Sequence, residues 1–159
     1  MNNVISVGMA DLKVAKSPNI LMTAGLGSCI GICIHDPFRK VGGMAHIMLP
    51  NSNGNDSNPA KYADTAVELL IKEIINLGGS KTRLRAKIAG GAQMFSFAGK
   101  PPVLKIGDRN AEAVVAELKR LGIPLLVSDV GGSFGRTIHF DVGSGALKVR
   151  TINHGEKVI

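Results

Sequence analysis

Both cysteines and two of the four histidines of this chain lie in one stretch, LGSCIGICIHDPFRKVGGMAHIMLP, at residues 26–50. A thiolate is a strong nucleophile, and an imidazole is the group that most often takes a proton from a nucleophile. We predict that Cys29 is the nucleophile, because it follows glycines in GLGS that permit an unusual backbone path and a close approach by another molecule. Backbone N–H groups of Ser28 and Cys29 at such a junction can stabilise a developing oxyanion.

His46 is the predicted base. A thiol with a pKa of about 8.5 is a weak nucleophile at neutral pH unless a base or a positive charge favours its thiolate. If DPFRK turns the chain back, GGMAHIML runs beside SCIGICI, and His46 could sit across from Cys29. The alternative is a hydrogen-bonded structural histidine, which is also our interpretation of His35, His139 and His154.

Thr23, six residues before Cys29, could orient the imidazole through its hydroxyl. The alternative is that a β-branched threonine simply suits a strand.

The segment CIGICIH predicts a strand with two different faces. Alternation places the isoleucines on one face, where they should face a core: Ile30, Ile32 and Ile34. The opposite face carries Cys29, Gly31, Cys33 and His35. At about 3.3 Å per residue, the two cysteines would lie roughly 13 Å apart. That distance excludes a disulfide and sharing of one zinc ion on a regular strand. We therefore predict no metal and a buried Cys33; a zinc site formed by Cys29, Cys33, His35 and His46 is the alternative.

The length of 159 residues fits one domain spanning residues 1–159, and 45% hydrophobic and 19% charged residues are typical of globular proteins. We find neither an apolar run of about 18 residues, as a membrane span needs, nor a secretory signal pattern at the start. We therefore expect a cytoplasmic protein without membrane insertion, whose cysteines remain thiols.

The net charge of +7 indicates an acidic partner. Nucleic acid is not favoured, because aromatic residues make up only 4%, tryptophan is absent, and the 19 basic residues are spread along the chain. Two glycine-rich segments, VGGSFGR and AGGAQMF, lack the lysine and hydroxyl of a phosphate loop and are predicted to be tight turns. No organic cofactor is predicted.

The elements that would position these residues are short strands and two main helices. The first helix should carry apolar residues from Ala63 to Leu77, begin after a cap at Ser57 or Asn58, and end at Gly78. A second helix should be capped by Asp108 or Asn110 and stop at Gly122.

Residues 50–59 should form a surface loop, and seven to nine strands fill the remainder. Because strands and helices do not alternate regularly, we predict an α+β fold with layered mixed or antiparallel sheets.

Six segments together resemble the CheD family of chemoreceptor glutamine deamidases: LGSCIGICIHDP, GGMAHIMLP, KYADTAVELL, AKIAGGAQMF, IGDRNAEAVVAEL and GIPLLVSDVGGSFGRTIHFDVGSGALKV. They occur in the family's order from about residue 23 to 149. The resemblance implies a triad of nucleophile Cys29, base His46 and orienting hydroxyl Thr23. It also implies layered sheets flanked by helices, similar to the catalytic domain of the cytotoxic necrotizing toxins.

The resemblance further implies a protein-glutamine glutaminase that needs no cofactor and works through a cysteine thioester. Its substrates would be the cytoplasmic helical regions of methyl-accepting chemotaxis receptors, and some members are also reported to hydrolyse receptor methyl esters. CheC, a phosphatase of the chemotaxis system, would be a possible partner. Two alternatives are a non-catalytic regulatory module that binds CheC or receptors, and a cysteine hydrolase of small amides or peptides.

Overall fold

The computed structural model describes residues 3–55, 57–93 and 105–159. In these residues it contains ten strands: β1 (Val4–Ser6), β2 (Leu12–Lys16), β3 (Ile20–Leu26), β4 (Ile30–Asp36), β5 (Val41–Ile47), β6 (Arg85–Gly90), β7 (Leu125–Val130), β8 (Arg136–Asp141), β9 (Leu147–Thr151) and β10 (Gly155–Val158). The helices are α1 (Ala63–Asn76) and α2 (Ile106–Arg120), with two short 3-10 turns at Pro59–Lys61 and Lys81–Arg83.

The strands form two five-stranded sheets, which we call sheet A and sheet B. Sheet A has the order β1-β3-β8-β9-β10, and sheet B has the order β2-β5-β4-β6-β7. The pairs β1–β3 and β6–β7 are parallel, whereas the other described pairs are antiparallel. The predicted α+β fold with mixed sheets and two main helices is therefore confirmed. In the described ranges, no helix is both long and apolar enough to cross a bilayer.

Sheet B is the middle layer, because both faces of its central strands β4 and β5 are buried. The three isoleucines of β4 pack with the apolar faces of α1 and α2, as the alternation predicts. Cys33 and Met44 lie on the opposite face, in a second core with Ile138 and Phe140 of sheet A. Each fully buried large aliphatic side chain contributes about 1.5–3 kcal/mol. The layers are thus sheet A, sheet B and the helices.

The chain changes sheets more often than the sequence indicates. The segment NVISVGMADLKVA divides into β1 and β2, which belong to different sheets, and Ala10 between them has a φ of 59°. A second change occurs between β3 and β4, where residues 27–29 connect sheet A to sheet B. Strand β10 was not expected, so the described residues contain ten strands instead of seven to nine.

The helix starts also differ from prediction. The Asn58 side chain accepts a hydrogen bond from the Ala60 N–H and caps the short Pro59–Lys61 turn, while α1 begins after Tyr62 with no side-chain cap. The predicted cap of α2 at Asp108 or Asn110 is wrong, because both residues lie inside the helix, which begins at Ile106. Most of the segment SFAGKPPVLKIG, from residue 96 to 104, lies outside the described residues, as does the end of AGGAQMF.

Candidate active site

Cys29 lies where the chain crosses from sheet A to sheet B. Strand β3 ends at Leu26 after a break in its register with β8, Gly25 adopts a φ of 72°, and β4 begins at Ile30. The intervening residues 27–29 form no ladder with a strand. Cys29 is buried, with 7% of the residue exposed.

The backbone of residues 27–29 is held by its carbonyl oxygens. The oxygens of residues 27, 28 and 29 accept hydrogen bonds from the Ala92 N–H at 2.8 Å, the Asn110 Nδ2 at 2.9 Å and the Gly91 N–H at 2.9 Å. In contrast, neither the Ser28 nor the Cys29 N–H donates to another residue in the described ranges. Because the C=O and N–H of a trans peptide point in opposite directions, these two N–H groups face away from the anchored side.

His46 and Thr23 meet between the two sheets. His46 lies on β5 of sheet B and Thr23 on β3 of sheet A, both are buried, and 2.7 Å separates His46 Nδ1 from Thr23 Oγ1. Gly31, which pairs with His46, makes this close approach possible, because a Cβ there would lie 2.5 Å from the Ile138 side chain of sheet A.

A second hydrogen bond determines the tautomer of His46. The Thr23 hydroxyl donates its single proton to the Val7 carbonyl oxygen at 2.7 Å, so its oxygen must accept from His46 Nδ1–H. A neutral imidazole with a proton on Nδ1 has a lone pair on Nε2. That Nε2 is buried and has no hydrogen-bond partner in the part of the chain described, which leaves it free to accept a proton.

The register places His46 diagonal to Cys29. His46 pairs with Gly31 and not with Cys29, which lies two residues earlier on the same face of the sheet. Diagonal neighbours are separated by about 7–8 Å between their backbones, within reach of long side chains. No hydrogen bond joins Nε2 to the Cys29 thiol in this structure. Catalytic contacts are often long in a free enzyme and tighten when substrate binds.

The predicted nucleophile and the predicted base are both neutral near pH 7. Burial lowers the pKa of His46 from its usual value, so the imidazole is unprotonated. Burial raises the pKa of the Cys29 thiol, and its own backbone N–H, which is close enough to bond the sulfur, offsets part of that rise. The arrangement therefore favours proton transfer from thiol to imidazole during attack over a preformed ion pair.

Comparison with known proteins defines the family. Residues 48–151 match the family described as CheD chemotactic sensory transduction. A protein of Desulfitobacterium hafniense named probable chemoreceptor glutamine deamidase CheD is 81% identical, over the full length of both chains. The chain belongs to the CheD family.

Two more distant CheD proteins also align over the full length of both chains. The Syntrophomonas wolfei protein, a probable chemoreceptor glutamine deamidase, is 54% identical, and the Halalkalibacterium halodurans chemoreceptor glutamine deamidase is 52% identical. Among solved structures, the Bacillus licheniformis protein YfiH is 16% identical with a TM-score of 0.46; the match covers 76% of this chain and 51% of YfiH.

The other cysteine and histidines considered in the sequence have surroundings that differ from those of Cys29 and His46. Complete burial strongly raises the pKa of the Cys33 thiol, which makes it unreactive in the folded protein. The His35 and Phe140 rings are nearly perpendicular with their centroids 5.6 Å apart, and His154 stacks on Phe134 with the centroids 4.3 Å apart. Within the ranges that the structure describes, no group of three or more histidine, cysteine, aspartate or glutamate residues is placed to bind a metal.

Asn110, which the sequence indicated only as a helix cap, joins the segments that carry the predicted nucleophile and base. Its Nδ2 donates to the Ser28 carbonyl at 2.9 Å and to the Met48 carbonyl at 3.0 Å. These acceptors lie one residue before the predicted nucleophile and two residues after the predicted base. The segment IGDRN is part of the family resemblance, but an asparagine near a helix start is usually a cap, so the sequence predicts bonds from Asn110 to the backbone of α2.

Proposed function

We propose that this CheD-family protein hydrolyses glutamine side-chain amides of chemoreceptors to glutamate and ammonia, with Cys29 as nucleophile, His46 as base and Thr23 as the group that orients His46. The observation that carries this proposal is the hydrogen-bond chain from Val7 through Thr23 to His46, which leaves Nε2 unprotonated on the face that Cys29 shares. The names of the relatives at 52–81% identity support the substrate.

The first half of the reaction forms a thioester. Nε2 of His46 takes the thiol proton while the sulfur of Cys29 attacks the amide carbon of the substrate glutamine. The carbonyl oxygen becomes an oxyanion, which the N–H groups of Ser28 and Cys29 stabilise, since neither donates to another of the described residues. The carbon–nitrogen bond then breaks as His46 returns its proton to the nitrogen, and ammonia leaves.

The second half releases glutamate. His46, again neutral, takes a proton from water while the water oxygen attacks the thioester carbon. The carbon–sulfur bond breaks, and the sulfur recovers its proton from His46. Throughout, Thr23 accepts from Nδ1–H, which stabilises the imidazolium that forms twice in each cycle.

We further propose that the substrate is the helical cytoplasmic region of the receptors, that the enzyme works in the cytoplasm, and that CheC is a second partner. The net charge of +7 supports an acidic partner surface, since complementary charge mainly speeds association. The proposed reaction involves only the glutamine side chain, so it does not depend on which receptor region or which second partner binds.

The test is incubation of the purified protein with receptor cytoplasmic fragments, followed by mass spectrometry of their glutamine residues. We expect conversion to glutamate by the wild-type protein and by Cys33→Ala, a matched control for the loss of one buried thiol, but none by Cys29→Ala. Conversion that persists in Cys29→Ala would refute the proposed nucleophile. No conversion by the wild-type protein would instead favour a binding module, in which alkylation of Cys29 need not depend on His46.

A further inference from the structure

Asn110 joins the two segments that carry the proposed nucleophile and base. It is fully buried on α2, and its two amide protons go to the Ser28 and Met48 carbonyl oxygens. Because both neighbours are acceptors, the amide nitrogen and not the oxygen must face them. The helix thus connects the loop before β4 to the end of β5 through one side chain.

This connection leaves part of the side chain unsatisfied. Asn110 Oδ1 is buried and has no hydrogen-bond donor among the described residues. An unpaired buried oxygen is unfavourable, and an aliphatic side chain of similar size would avoid it. Asparagine at this position therefore provides two hydrogen bonds to backbone carbonyl oxygens, which an apolar residue could not make.

The bond to Ser28 fixes the orientation of one peptide plane. The Ser28 C=O and the Cys29 N–H belong to the same trans peptide and point in opposite directions. While Asn110 holds the oxygen, the N–H stays on the other side, close to the Cys29 sulfur. Rotation of this plane would replace an oxyanion donor with a carbonyl oxygen, which would repel the developing charge.

The position of α2 leaves little freedom for such a rotation. The first turn of the helix lies directly on the backbone that anchors residues 27 and 29: a Cβ at Gly107 would collide with the Gly91 carbonyl oxygen. Gly91 itself donates to the Cys29 carbonyl, and Ala92 donates to that of residue 27. The middle carbonyl, that of Ser28, depends on Asn110 alone among the described residues.

We propose that Asn110 is a positioning residue of the oxyanion hole: by binding the Ser28 carbonyl, it holds the Cys29 N–H toward the reacting substrate oxygen. This inference rests on the proposed deamidase activity. Asn110 does not touch the substrate; it acts through the Ser28–Cys29 peptide.

The experiment compares two reactions of the same sulfur in the full-length protein. Deamidation passes through an oxyanion, whereas alkylation of Cys29 by iodoacetamide displaces iodide and forms none. We expect Asn110→Ala and Asn110→Asp to lower kcat for deamidation by about 10²- to 10³-fold, as for loss of an oxyanion donor, with little change in KM. Alkylation of Cys29 should remain close to the wild-type rate, within about threefold.

Asn19→Ala is the matched control, because the Asn19 Nδ2 also donates to a backbone carbonyl, that of Lys16, in an exposed turn away from this site. It should keep the wild-type kcat. An unchanged kcat in both Asn110 variants would overturn the inference. So would an equal loss of alkylation and deamidation, since Asn110 would then position the thiol and imidazole and not the oxyanion donor.

A measurement on the wild-type protein covers the case in which both variants fail to fold. A peptide in which an aldehyde replaces the side-chain amide of glutamine should add to Cys29 as a hemithioacetal whose oxygen lies where the oxyanion forms. We expect the Cys29 amide proton to move downfield in NMR spectra while the Asn110 side-chain protons stay protected from exchange. No movement of the Cys29 proton, or rapid exchange at Asn110, would contradict the inference. Absence of deamidation by the wild-type protein would refute the proposed function and the inference with it.

Discussion

Replacement of Thr23 by valine tests whether its hydroxyl orients the imidazole of His46, the proposed base. Valine has nearly the same shape, so the substitution removes one oxygen and leaves the Val7 carbonyl and His46 Nδ1–H without their partner. Burial of unpaired groups costs about 1–3 kcal/mol, which is the expected loss of unfolding free energy. If a similar amount is lost from the transition state, kcat falls by about 5- to 150-fold, since about 1.4 kcal/mol corresponds to tenfold.

The assay measures kcat for glutamine deamidation together with thermal stability, and Thr23→Ser is the control. Serine keeps the hydroxyl, so we expect its kcat within about threefold of wild type, although loss of the buried methyl group lowers stability by about 1 kcal/mol. A second readout is the pH dependence of kcat/KM. The Thr23 oxygen stabilises imidazolium more than imidazole, so in Thr23→Val the pKa of His46 falls further and the acid limb moves to lower pH.

One result would refute this reasoning. If Thr23→Val loses stability but keeps kcat within about twofold of wild type, the hydroxyl serves the packing of the two sheets and does not prepare His46.

Three further predictions follow from burial and charge. Cys33→Ala should keep its deamidase activity while unfolding with about 1–2 kcal/mol less free energy in denaturant titrations, because it removes a packed but unreactive thiol. The acid limb of kcat/KM in the wild-type protein should have its midpoint below about 6.5, because burial lowers the pKa of His46; a midpoint above that value contradicts the assignment of the base. Burial alone would raise the pKa of Asp36, but hydrogen bonds from Arg83 and backbone N–H groups lower it well below its usual range. The stability that this carboxylate contributes is therefore present above its unfolded pKa of about 4 and is lost as pH falls below it. Asp36→Asn should destabilise the protein by about 2–4 kcal/mol at neutral pH and flatten its acid unfolding curve; a curve as steep as that of wild type would assign the acid sensitivity to other carboxylates.

The faces of β4 could be predicted from sequence because side-chain alternation is a local property. The exact register could not, since slipping a hairpin by two residues keeps every side chain on the same face. The turn decides it: Asp36 binds the Phe38 and Arg39 N–H groups, and Lys40 takes a φ of 55°, so that Asp36 pairs with Val41. This register places His46 opposite Gly31 and diagonal to Cys29.

Contacts between the layers could not be predicted from sequence patterns. The bond from Thr23 to His46 joins different sheets, and the residues between them give no periodic signal of it. Asn110 was misread for a related reason: an asparagine near a helix start satisfies a local capping rule, whereas its actual partners are 82 and 62 residues away in sequence. The family resemblance predicts the three triad positions, but it does not indicate the hydrogen bonds that hold Thr23 and His46 in place.

The bond between β3 and β5 also makes activity a measure of how tightly the two sheets dock. Val7 and Thr23 belong to the sheet A side, His46 belongs to sheet B, and Cys29 lies on the crossing between them. A loosened state that kept its strands but lost fixed side-chain packing would retain most of its far-ultraviolet circular dichroism. In that state His46 would lose the hydrogen bond to Thr23 that keeps its proton on Nδ1. Turnover should therefore disappear before secondary structure does as the protein is warmed.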